Sequence, residues 1–249
     1  MTAYKLLCAL IILIVTLLSG FYPFFKKKKS KAAFQLPIGE ALACGVFLGA
    51  GLMHMLADAS TTFNQLHIHY PYAFLLAGLT FLLLLYMEHI GKEIHSHQGA
   101  SSNAFAILSV IMLSIHSFLA GAALGLTSSL AVTTIILLAI VAHKWAASFS
   151  LAIQITKSEL SFNYGIALFF AFALMAPVGV LFGSEVSHVF ADNTLIEPIF
   201  SSLAAGTFLY MGSLHGLERA VLVEQCCNLR LFYFVIIGFS IMSLVAVWT

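Results

Sequence analysis

Two histidines stand deep inside apolar runs, His116 in SVIMLSIHSFLAGAALGLT and His143 in LLAIVAHKWAASFSLAIQI, with Lys144 beside the second. Neutral imidazole is the commonest protein ligand for transition metals and suits zinc, copper, iron and nickel. An ionisable side chain at membrane depth is costly, so it faces a protein interior or a water-filled path and marks where function lies. On an ideal helix His116, Ala120, Ala123 and Thr127 share one row, and His143, Ala147 and Ser150 share another. Each imidazole is therefore flanked by small or polar neighbours. The connection at Leu126 to Ser129 is short, which makes the two segments an antiparallel pair with the histidines at similar depth. A metal held between two helices is the chemistry this pattern suits. The competing reading is a pair of hydrogen-bonded structural histidines. A lone buried histidine favours that second reading, and two at matched depth bring the readings level.

The elements that must position this pair follow from composition. A mean hydropathy of +1.02, with 61% hydrophobic and 8% charged residues, lies far from soluble domains, which carry roughly 25% charged residues. The chain is an all-α, polytopic membrane protein. About 20 apolar residues cross a bilayer core. That length predicts eight transmembrane helices near 6–25, 38–60, 70–91, 103–125, 129–156, 163–184, 196–217 and 231–248. No room remains for a soluble domain, so residues 1–249 are expected to form one transmembrane domain whose first partner is the lipid bilayer.

Charge sets the expected orientation. With both termini outside, the inner loops collect Lys26, Lys27, Lys28, Lys29, Lys31, Lys92, Lys157, Arg219 and Arg230, and only Lys5 stays outside. Losing one span would invert every later loop, so this distribution supports the count of eight. A cleaved signal peptide is the lesser reading of the first span, because no clear A-x-A site follows it. Cys8 and Cys44 lie in spans and Cys226 and Cys227 in an inner loop, which argues against a disulfide framework. Gly45 and Gly49 form one GxxxG and Gly121 and Gly125 another, with Ala120, Ala122 and Ala123 adding a smooth face. Packing within the bundle is the favoured use of these glycines; a homodimer is the other.

Four stretches carry a family resemblance: GVFLGAGLMHMLADA (45–59), HSFLAGAALG (116–125), HKWAASFSLAIQI (143–155) and AAGTFLYMGSLHGLE (204–218). In this order and spacing they resemble spans two, four, five and seven of the ZIP (ZRT/IRT-like) metal transporters, and the likeness extends over nearly the whole chain. The resemblance implies a 3+2+3 bundle in which spans one to three and six to eight are pseudosymmetric and spans four and five form the metal path. It also implies termini outside and uptake of divalent metal toward the cytoplasm.

The resemblance places ligands at His116 and His143. The acids usual one turn later fall at Ala120 and Ala147, so both carboxylates are absent here. In the subgroup this chain resembles most, lysine follows the fifth-span histidine, as Lys144 does, and a second metal site is lost. A seventh-span acid aligns near His215, with Glu218 three residues on. Imidazoles supply donors without negative charge, so an all-histidine site is electrostatically poor unless Lys144 is neutral, turned away or paired. Two readings stand. His116, His143 and His215 form a three-histidine site completed by water, a known zinc geometry, or the frame has lost transport and serves as a non-transporting membrane scaffold or regulator.

Weaker signals surround this pair. His54 and Asp58, at i and i+4 near the outer end of span two, suit a cation relay at an entrance. His67 and His69 suit metal capture or a plain solvated loop. Glu88, His89, Glu93, His95 and His97 form an acidic and histidine-bearing segment suited to receiving or sensing metal, or a plain polar loop. Lys26 to Lys29 fix topology and suit contact with anionic lipid.

No H-E-x-x-H, phosphate-cradling glycine loop or basic aromatic surface accompanies the spans. The expectation is therefore no enzyme, no organic cofactor and no nucleic-acid partner. The resemblance implies a multi-pass plasma-membrane transporter of divalent metal, zinc first with iron, manganese or copper as alternatives, working by alternating access.

Overall fold

A computed structural model of the chain describes residues 2–29, 36–96, 102–189, 195–214 and 229–247. All regular structure among them is helical. The helices are α1 (Thr2–Lys29), α2 (Pro37–Gln65), α3 (Tyr72–Ser96), α4 (Ser102–Leu126), α5 (Leu130–Lys157), α6 (Phe162–Val189), α7 (Ile196–Tyr210) and α8 (Leu229–Val245). Successive helices run in opposite directions. The carboxyl ends of α2, α4 and α6 therefore share one face with the amino end of α1, and the carboxyl ends of α1, α3, α5 and α7 share the opposite, lysine-rich face. The first six helices are long and apolar enough to cross a membrane, while α7 and α8 are shorter, at 15 and 17 residues. Beyond Tyr210, α7 continues in wider π turns over 211–214. The expectations for His97, His215, Glu218, Arg219, Cys226 and Cys227 fall outside the described residues.

Local signals explain several boundaries. Pro37 opens α2, where a missing N–H costs nothing. At the far end Ile68 N–H reaches Phe63 O at 3.0 Å and His67 N–H reaches Asn64 O at 3.0 Å, closing the helix with His67 at φ 58°. Glycine usually holds that left-handed position, although histidine is among the residues enriched there. The loop imidazoles His67 and His69 are both exposed. Lys5, the one cation expected outside, is 6% exposed, and its Nζ donates to Gly125 O at 2.5 Å. It thereby caps the carboxyl end of α4, where positive charge is favoured.

The helices sort into two groups of four by their contacts. In the first, α4 packs along α6 and α1 along α5; in the second, α2 packs along α8 and α3 along α7. The groups meet where α4 touches α7 and α2 touches α5. Exchanging α1 with α6, α2 with α7, α3 with α8 and α4 with α5 maps every one of these pairings onto another. The contact map thus has the pseudosymmetry that the resemblance implied.

Glycine decides where backbones touch. A Cβ on Gly121 would lie 2.3 Å from Ala176 O, and one on Gly183 would lie 2.2 Å from Ala122 O. Gly125 likewise meets α6 and Gly179 meets α4, so Gly121-xxx-Gly125 of α4 is matched by Gly179-xxx-Gly183 of α6. Gly45 and Gly49 meet α8 through Val235, Phe239 and Met242. All four glycines of the two expected GxxxG motifs are spent inside the bundle, the favoured reading of the sequence.

Candidate metal centre

His116 comes from the middle of α4 and His143 from the middle of α5, and each is 1% exposed. Their ring centroids are 5.7 Å apart with planes at 72°. Two imidazole nitrogens bound to one zinc at about 2.0–2.1 Å, with near-tetrahedral angles, put their ring centres about 5–6 Å apart. The pair is therefore spaced to share an ion. Phe208 of α7 lies against both, stacked on His116 at 3.6 Å between centroids and edge-on to His143 at 4.8 Å.

The hydrogen bonds of His116 fix its chemistry. Thr207 Oγ1 donates its only proton to Ala204 O at 2.6 Å. His116 Nδ1, 2.9 Å from Thr207 Oγ1 and 3.2 Å from Ala204 O, must then be the donor in both contacts. With Nδ1 protonated, the lone pair sits on Nε2, which is buried and unpartnered. An imidazole held at one nitrogen by a neighbouring acceptor, with the other presented bare, is the arrangement seen in metal-ligating histidines. For His143 neither ring nitrogen has a hydrogen bond, and the Ala139 carbonyl one turn back interacts only outside hydrogen-bond geometry.

Charge around the pair is sparse. Ala120 and Ala147, the positions of the missing acids, are buried at 8% and 1% exposure. Lys144 is 2% exposed. Its Nζ donates to Ser117 Oγ at 2.6 Å and lies 4.4 Å from the centre of the Phe172 ring. The ammonium is therefore paired within its own helix group by a hydroxyl and an aromatic face. Among the described residues, no group of three His, Cys, Asp or Glu side chains is assembled.

His54 departs from its expected place. The polar run from Ser60 to Gln65 ends the apolar span near residue 60, yet the helix continues, with Thr61 and Thr62 returning their hydroxyls to Ala57 O and Asp58 O at 2.9 Å each. His54 consequently sits 11 residues inside the helix end at Gln65, where His116 sits 10 inside Leu126. A π-helical stretch, Ala50–Leu56, carries His54. Single widened turns of this kind are frequent at functional sites. On the other side, Glu88 of α3 accepts a hydrogen bond from Tyr210 Oη of α7, which ties two helices of one group, and His89 is exposed.

Thr207 and Phe208, the residues that hold and cover His116, are absent from the sequence-derived set. An internal repeat carried the signal. Gly45-x-Phe47-Leu48-x-x-Gly51-x-x-His54 recurs as Gly206-x-Phe208-Leu209-x-x-Gly212-x-x-His215. The two phenylalanines meet at 5.0 Å between ring centroids, and both copies run into π turns. Val46 stands in α2 where Thr207 stands in α7. The hydroxyl that organises His116 therefore has no counterpart in the other copy.

A helical bundle of this connectivity, with two buried imidazoles 5.7 Å apart where its two helix groups meet, has the architecture of a polytopic membrane carrier. The family model of the ZIP zinc transporters matches residues 2–103 and 92–246, and the chain belongs to that family. It is 27% identical over 302 aligned positions to the zinc transporter ZIP2 of Mus musculus, covering 98% of this chain and 97% of that one. It is 27% identical over 280 positions to zinc transporter 11 of Arabidopsis thaliana, with 98% and 85% covered. To zinc transporter 1 of Oryza sativa subsp. japonica it is 26% identical over 298 positions, with 99% and 83% covered.

Proposed function

We infer that this chain is a transporter of divalent metal, zinc first, moving its ion toward the lysine-rich face by alternating access. The observation that carries the reading is the pair His116 and His143, buried at one depth, spaced for a shared ion and presenting unpartnered nitrogens. Their position on the seam between the helix groups supports the mechanism. If α1, α4, α5 and α6 rock against α2, α3, α7 and α8, the histidines of the first group pass the fixed Phe208 and Thr207 of the second.

In this reading both termini lie outside a plasma membrane and Lys26 to Lys29 lie inside it. His215 is proposed as a further ligand, and iron, manganese and copper as lesser substrates. The protein works as a carrier and not an enzyme. Because the expected glycine motifs are spent within the bundle, a homodimer would have to use another face.

Uptake of zinc into liposomes tests the proposal. The wild type accumulates zinc above protein-free vesicles, and the double change His116→Ala with His143→Ala brings uptake to background without lowering the protein inserted. Equal uptake by the double variant refutes the site. No uptake of zinc, iron, manganese or copper by the wild type refutes the function.

A further inference from the structure

The two copies of the internal repeat are not used alike. Phe208 is stacked on His116, with 3.6 Å between ring centroids and planes 18° apart. Phe47, at the same position of the other copy, is buried and meets Phe208 at 5.0 Å. Among the described residues its ring contact is with Phe208 and not with His143. The exchange of helices that maps the contact pattern onto itself sends α7 to α2 and α4 to α5. It therefore sends Phe208 to Phe47, and His116, the fifteenth residue of α4, to His143, the fourteenth of α5. One stack of this related pair is formed and its counterpart is open. The copies themselves interlock. A Cβ on Gly51 would lie 3.2 Å from Leu209 Cδ2 and one on Gly212 3.0 Å from Leu48 Cγ, so the leucine of each copy covers the glycine of the other.

A bundle with this relation has a second packing in which the two copies trade environments. The two packings reuse equivalent contacts, so they differ in free energy only where the copies differ in sequence. We propose that Phe47 and Phe208 take turns on the central histidines: Phe208 stacks on His116 in the conformation seen here, and Phe47 stacks on His143 in the opposite one. The place of this exchange in a transport cycle rests on the reading of His116 and His143 given above. Phe47, which has no ring contact with either histidine here, becomes a positioning residue for the other half of the cycle. An aromatic ring suits the task. Stacking covers the face of an imidazole and leaves its in-plane nitrogens free, so the ring steadies a ligand and keeps water off without taking the place of the ion. The sequence difference that matters most is Thr207 against Val46. Thr207 Oγ1 accepts from His116 Nδ1 at 2.9 Å, and valine has no acceptor to offer His143. The hydroxyl therefore favours the conformation seen here over its opposite by one hydrogen bond.

The test places para-fluorophenylalanine at Phe208 or at Phe47 of the full chain in detergent and reads stacking from the fluorine resonance. Each position should report two environments, as separate peaks or as one population-weighted shift. Thr207→Val is expected to lower the stacked population at Phe208 and raise it at Phe47 together, changing the ratio by about fivefold, the weight of one hydrogen bond. Val46→Thr should move both in the same direction, by giving His143 the acceptor it lacks. Populations that stay fixed, or that move at one position only, overturn the proposal. Zinc uptake into liposomes gives a second readout. Phe47→Leu should lower the maximal rate by about tenfold and leave the half-saturating zinc concentration unchanged, because the ring is needed only in the opposite conformation. Uptake by Phe47→Leu at the wild-type rate also overturns the proposal. The two levels separate cleanly. If the wild type moves zinc and the fluorine populations stay fixed, the transport reading stands and this inference falls; if the populations exchange as described and no metal moves, the transport reading falls and the exchange of rings is retained.

Discussion

The contacts inside each helix group and the contacts between the groups are made of different material. Within the groups, glycines bring three helix pairs backbone to backbone: Gly121, Gly125, Gly179 and Gly183 join α4 to α6, Gly45 and Gly238 join α2 to α8, and Gly206 meets Ala77 O of α3 at 2.3 Å from an added Cβ. Between the groups, the described contacts run through side chains. His116 meets Phe208 and Thr207, His143 meets Phe208, the Phe149 ring covers Gly39, and Lys157 meets Glu40. Interlocked backbones can separate only as a whole, whereas side chains can change rotamer and partner. The site stands on the softer of the two kinds of interface, where a carrier has to move.

The largest effect should come from breaking an interface of the first kind. Gly183→Leu drives a branched side chain into the carbonyl of Ala122, 2.2 Å from the first added carbon, with only backbone there to give way. Overpacking by single methylenes already costs about 1–3 kcal/mol. The leucine should therefore remove folded protein altogether, as seen by loss of the monodisperse peak in size exclusion. Gly78→Leu on α3 provides the contrast, since nothing lies within 4 Å of its added Cβ, and it should leave the peak and the thermal midpoint within error of wild type. Equal behaviour of the two variants would remove the distinction between interlocked and soft contacts.

How much of this arrangement was legible in the sequence differs between the same two kinds of interface. Span number, the antiparallel pair α4 and α5 and the depth of His116 and His143 follow from the length of apolar runs, because a bilayer sets a ruler of about 20 residues. That ruler fails at α2. Ser60, Thr61, Thr62, Asn64 and Gln65 end the hydropathy signal, while their backbone remains helical and the threonine hydroxyls are satisfied by the preceding turn. His54 thus lies farther from the end of its helix than the apolar run alone suggests. Gly179 and Gly183 were as readable as Gly121 and Gly125, and only together do they name the partner helix. Thr207 escaped because a threonine among apolar residues has no signature of its own; comparison with Val46 in the other repeat singles it out. His215 was reached through resemblance alone.

Along the seam, the contact to loosen next is the hydroxyl that organises His116. Thr207→Val keeps the shape and removes the acceptor of Nδ1, 2.9 Å away, leaving only Ala204 O at 3.2 Å. The folded protein should lose about 1 kcal/mol, typical for one hydrogen bond. Zinc affinity should fall by about 10–100-fold, because partners behind a ligating histidine carry that weight. Thr207→Ser, which retains the hydroxyl, should recover most of the affinity. A valine variant with full affinity would mean that the ring is held by Phe208 stacking alone.

The smallest effect belongs to the seam's outermost tie. Lys157, in the last turn of α5, lies 2.8 and 3.0 Å from the two carboxylate oxygens of Glu40, in the first turn of α2. Each charge also complements the dipole of its own helix. With the lysine side chain 31% exposed, water and salt screen the pair, and exposed ion pairs are worth about 0.2–1 kcal/mol. Glu40→Gln should therefore lower the thermal midpoint by only a degree or two. Its effect on transport should be proportionately larger, because this is the one ion pair between the groups among the described residues. Releasing it should raise the initial rate of zinc uptake at low salt and make no difference at high salt. A salt-independent rate would place the resistance to motion at the rings around His116 and not at this surface tie.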